Sequence, residues 1–110
     1  MAIQRNELLK PISREHHHGL LLCWKIRTGL QKGIEPERIK KYAEWFYENH
    51  LLAHFDFEEI HIFLLPGIEQ SLIKRALSEH RKLRRLFEAK TDVLKTLNWI
   101  EELLEAHIRF

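Results

Sequence analysis

The chain is poor in cysteine, proline and glycine: one Cys (Cys23), three Pro and four Gly in 110 residues. A single thiol cannot close an internal disulfide, so the core alone must hold the fold. Sparse proline and glycine leave four long segments rich in Leu, Glu, Lys, Arg and Ala, which reads as all-α. No stretch approaches the roughly 18 uninterrupted apolar residues of a membrane span. The polar start, residues 1–10, also lacks the apolar run of a signal peptide. A cytoplasmic protein without a membrane partner is therefore expected. Neither charge sign prevails, with 18 Lys and Arg against 16 Asp and Glu and a net charge of +2. That balance points to no nucleic-acid partner. The length suits one domain spanning residues 1–110. What the chain has in plenty is histidine, eight in all, none in a terminal tract.

The breakers place the helices. Helix one is expected from about residue 12 to 31, with Pro11 before it, Ser13 as a capping oxygen and Gly33 just past its end. Helix two should start at Pro36 and run to about Leu65, where Pro66-Gly67 breaks it; about 30 residues would span roughly 45 Å. Helix three fits residues 68–89, and helix four opens near Thr91-Asp92 and continues to the end of the chain. Short connections favour antiparallel neighbours, so the expected architecture is an all-α, up-down-up-down four-helix bundle.

Helical spacing then asks where each histidine points. Ile73, Leu77, His80, Leu83 and Phe87 recur every three or four residues, as do Val93, Leu97, Ile100, Leu104 and His107, so His80 and His107 sit on apolar stripes. Tyr47, Leu51, His54, Glu58 and Leu65 share a face, with His54 and Glu58 one turn apart and about 5–6 Å between their Cβ atoms. In helix one the apolar residues sum, at about 100° per residue, to a direction near Cys23. His16 lies within about 20° of it, whereas His17 and His18 are over 100° away. His16 is the candidate and His17 the fallback. One histidine on an apolar stripe is usually a satisfied core or rim residue. Four of them with a carboxylate, on four helices, would cost a few kcal/mol apiece to bury without partners, and that combination points to a transition metal.

Four stretches carry a resemblance: Ile12-Ser13-Arg14-Glu15-His16; His54-Phe55-Asp56-Phe57-Glu58-Glu59 with Ile62-Phe63-Leu64-Leu65-Pro66; Ser78-Glu79-His80; and Glu105-Ala106-His107-Ile108-Arg109. Together they resemble the hemerythrin-like, or HHE cation-binding, domain family. The resemblance implies a bundle holding two non-haem irons, with His16 and His54 on one, His80 and His107 on the other, and Glu58 bridging. Oxygen-carrying hemerythrins have a second histidine one turn before the one matched by His80, where this chain has Ala76. The ligand pattern is closer to the repair-of-iron-centres proteins. The family also carries a second bridging carboxylate one turn past the last histidine, beyond Phe110, so the resemblance implies a helix four cut short. One metal, or zinc in place of iron, is an expectation for such a form.

The function expected is a metal-binding carrier or sensor handling dioxygen, nitric oxide or iron. The alternatives are a diiron enzyme reducing oxygen or peroxide, and a metal-poor helical interaction module. Around the site, Glu59 is expected to orient a ligand histidine. His50 reads as a structural neighbour or alternative ligand, and His17, His18 and His61 as rim residues. Trp24, Trp45, Trp99, Phe46 and Phe57 are expected mostly in the core, with Cys23 a small core residue. The cluster Arg81, Lys82, Arg84 and Arg85 reads as a solvated face.

Overall fold

A computed structural model describes the backbone of residues 9–109 and the side chains of residues 16–109. Among the described residues every regular element is helical, and the helices pack as a bundle of 45 × 22 × 20 Å. None of these helices is long and apolar enough to cross a membrane.

Helix α1 spans Leu9–Gln31, starting earlier than the expected position near residue 12. Pro11 thus falls in its first turn, where a missing N–H breaks no intrahelical bond. The side chain of Ser13 lies outside the described ones. At the other end Gly33 adopts φ +80°, the Gly33 amide donates to Leu30 O (3.2 Å), and the Ile34 amide donates to Gly29 O (3.0 Å). These paired bonds close the last turn with a left-handed glycine and turn the chain into the next helix.

Helix two of the sequence reading is one continuous rod with two irregularities. Regular α2 (Pro36–Phe46) passes into a π-turn at Tyr47–Leu51, then α3 (Leu52–Phe57), then a second π-turn at Glu58–Ile62. In each turn an amide donates five residues back, Leu52 to Tyr47 O and Phe63 to Glu58 O. The first π-turn contributes Tyr47 and Leu51 to the buried face that runs through Ala43, Phe46 and Phe55. The rod ends at Ile62 and not at Leu65, which is 39% exposed and leaves the face assigned to it. Gly67, at φ +90°, then turns the chain.

Helix α4 covers Gln70–Glu88 and α5 covers Val93–Arg109. The C-terminus of α4 is capped from a distance: the buried Lys40 ammonium donates to Phe87 O (2.9 Å) and Ala89 O (2.8 Å). α5 packs along both α1 and α4, and α2 reaches all three. Gly19 permits the first of these contacts, because a Cβ there would meet Ile108 Cδ1 at 2.6 Å. Leu22, Cys23, Ile26, Phe55, Leu83, Phe87, Leu97, Ile100 and Leu104 are essentially inaccessible. Each large apolar side chain so buried contributes about 1.5–3 kcal/mol.

The tryptophans depart from expectation. Trp24, Trp45 and Trp99 are 52%, 50% and 49% exposed. Each follows or precedes a buried neighbour (Cys23, Phe46, Ile100) and so stands about 100° around the helix from the core stripe. Phe46 is buried and Phe57 half-buried.

Candidate metal centre

All five side chains picked out by spacing arrive in one place. His16 comes from α1, His54 from α3, Glu58 from the start of the second π-turn, His80 from α4 and His107 from α5. They form two groups with Glu58 in common: His16, His54 and Glu58, and Glu58, His80 and His107. Within each group the possible ligand atoms lie within 4.8 Å of one another. Glu58 divides its oxygens between them. Its Oε2 is 3.5 Å from His54 Nε2 and 3.7 Å from His16 Nε2, while its Oε1 is 3.1 Å from His80 Nε2. His54, Glu58, His80 and His107 are buried. His16 is the open side, its side chain 31% exposed.

Two imidazoles are held from behind. His80 Nδ1 lies 2.7 Å from Glu59 Oε2, and Arg84 donates to the same oxygen at 3.3 Å. His107 Nδ1 lies 2.6 Å from Glu79 Oε1, and Arg75 donates to the other Glu79 oxygen at 3.0 Å. A ring donating from Nδ1 to a carboxylate carries its lone pair on Nε2, the tautomer a metal ligand needs. Phe55 stacks on His80 with centroids 4.0 Å apart, and Phe63 lies over the same ring at 5.8 Å. Glu58 and Glu59 open the second π-turn, and the two neighbouring carboxylates meet opposite nitrogens of His80.

The ionisation states favour ligation. Burial works to raise Glu58, but hydrogen bonds with His16, His54 and His80 outweigh it and hold the carboxyl well below the ordinary carboxylate range. Burial likewise opposes ionised Glu79, and its bonds with His107 and Arg75 prevail to lower it. His107 is lowered, chiefly by burial, against the pull of Glu79. The site therefore presents an anion ringed by imidazoles. His16 and His54 can each donate from Nε2 to Glu58, whereas a neutral His80, with a carboxylate at each ring nitrogen, can donate to only one of them. A cation between the rings and Glu58 would take up their lone pairs and the carboxylate charge together, so imidazole and carboxylate here form a donor set that could hold a metal ion in either group.

The other histidines lie elsewhere. His17, His18 and His61 are exposed, and half-buried His50 sits among aromatic rings, 5.5 Å from Trp45 and 5.2 Å from Phe46. His16, and not His17, joins the cluster. Cys23 is buried in the core, and burial, with Glu101 and Glu105 adding to it, pushes its thiol up to about 12. Arg84, expected on a solvated face with its basic neighbours, is instead half-buried against Glu59 and Phe55. Glu79 was missing from the sequence reading as a partner. Its position next to His80, about 100° around α4, is the signal that it faces a neighbouring helix.

No family model matches the chain, and no solved structure matches it. MICAL-like protein 1 from Homo sapiens is 35% identical over 54 residues, which cover 49% of this chain. The matched stretch is 6% of that protein's length.

Proposed function

We propose that the chain is a hemerythrin-like protein: an antiparallel up-down-up-down four-helix bundle that holds a non-haem diiron centre and handles dioxygen, nitric oxide or iron. One observation carries the reading, namely that Glu58 turns one oxygen to each of two histidine pairs. A carboxylate so placed is suited to join two metals, with His16 and His54 holding one and His80 and His107 the other. The quoted sequence blocks, and not the donor chemistry, favour iron, because imidazole and carboxylate also suit zinc and other first-row ions.

Iron, when bound, supplies a ferrous–ferric couple and a coordination position for a small ligand. The residues do the rest. Glu59 and Glu79 fix the rings of His80 and His107 and raise their basicity. Phe55 and Phe63 keep water from His80, and the partly exposed His16 edge gives a diatomic molecule its way in.

The test is an anaerobic ferrous titration followed by addition of nitric oxide. Two irons per chain and a nitrosyl spectrum are expected. Ferrous iron at about 100 times its dissociation constant should add about 2.7 kcal/mol to stability. A chain that takes up no iron, with no rise in melting temperature, refutes the reading.

A further inference from the structure

The two halves of the cluster are built differently. Around His80 and His107 the side chains are 0% and 6% exposed, and each ring is backed by a carboxylate that an arginine holds in turn. Around His16 and His54 the contacts to Glu58 are longer, and the His16 side chain is 31% exposed. Among the described residues the carboxylate paired with His16 and His54 is Glu58 itself.

We infer that the halves take metal in a set order: the Glu58–His80–His107 half binds a divalent first-row ion first and tightly, and the His16–His54–Glu58 half binds the second ion weakly and exchanges it with solvent. This rests on the metal-centre reading above. A carboxylate behind an imidazole makes it a stronger donor and pre-orients it, so little ordering is left to be done on binding. Glu59 and Glu79 are each paired with an arginine, but it is the carboxylate that touches the ring, so the negative end of each pair lies towards the inner ion. Among the described residues the outer half has neither aid. Its His16 ring gives up rotamer freedom and water contact when it closes on an ion. Once the inner ion is in place, Glu58 has committed one oxygen, and the two positive ions repel, which widens the gap between the steps.

Cobalt(II), a spectroscopic stand-in for ferrous iron, tests this by anaerobic calorimetric and optical titration of the full chain. The wild type should show two resolved steps. His16→Ala, a change at the exposed ring, should remove the second step and keep the first. Glu79→Gln should weaken the first step by about 10–100-fold, with circular dichroism checking that the helices persist. A chain that binds no cobalt sinks the metal-centre reading together with this inference. Two ions taken up in one unresolved step, or a first step weakened by His16→Ala as much as by Glu79→Gln, overturns the order of filling and leaves the metal centre standing.

Discussion

Two buried polar sites lie roughly 27 Å apart along the second helical rod, on the 1.5 Å rise per residue between Lys40 and Glu58. At Lys40 all is settled within the chain. Its ammonium spends its three hydrogens on Phe87 O, Ala89 O and Glu44 Oε2 (2.9 Å). Burial works against ionised Glu44, but its bonds to Lys40 and Lys90 hold it below its ordinary value. Nearby, the Tyr47 hydroxyl donates to Glu88 at 2.6 Å, and its ring stacks on Phe87. At Glu58 the arrangement differs, since one carboxylate is shared among three imidazoles and belongs to two groups of side chains that could hold a metal ion. The first site closes on groups of fixed protonation; the second gathers donors that a cation could also use.

The sharpest way to break that contrast is at Glu58. Glu58→Gln removes the anion common to both groups, and metal affinity should fall by about 100-fold or more, about 2.7 kcal/mol. Cobalt titration reads this directly, and retention of both binding steps would show that Glu58 is a bystander. Lys40→Met tests the other pole. It strands two carbonyls at the end of α4 and should lower unfolding free energy by about 2–3 kcal/mol in urea while leaving metal binding intact. A loss of metal binding equal to the loss of stability would mean that the two sites are not independent.

Acid should sharpen the comparison further. For Glu58 and Glu79, held below their ordinary values, the unfolded chain takes up protons first, from about pH 4.3 downward. Their stabilisation is present above that pH and is lost as pH falls towards the folded values. His107 is lowered too, so the unfolded chain binds its proton near pH 6.5 before the folded one does, and stability again falls on acidification. Urea midpoints of the metal-free protein should therefore decline in two stages, the first from about pH 6.5, the second below about pH 4.3. His80→Leu and Glu58→Leu together should shrink the lower stage and leave the part owed to Glu79 and Glu44. The smallest effect is expected at the rim: His17→Ala should change stability by less than about 0.5 kcal/mol and leave both cobalt steps in place.

Periodicity was enough to find four helical segments and to draw out five side chains that the fold brings together. His80 and His107 were the plainest, because α4 and α5 are regular and their stripes run unbroken. His54 and Glu58 came out through their own four-residue spacing, which survives between the two π-turns. The turns themselves were invisible, since the face through Tyr47, Leu51, His54 and Glu58 keeps steps of three and four across them. Lys40 was equally hidden. Nothing local marks a lysine that caps a helix 47 residues away at Phe87 O. The tryptophans misled because hydrophobicity alone ignores the 100° that separates neighbours on a helix.

The π-turns carry one more consequence. Each is, in effect, a single residue inserted into an α-helix, at Tyr47–Leu51 and again at Glu58–Ile62. Aligning this rod with a relative whose helix is regular calls for a one-residue gap in each turn. An alignment that refuses the first gap and keeps Tyr47 in register slides His54 and Glu58 off their counterparts by one position. Shortening the first turn by one residue should do physically what the missing gap does on paper, swinging His54 about 100° away from Glu58's partners across the bundle while the residues before it stay in place.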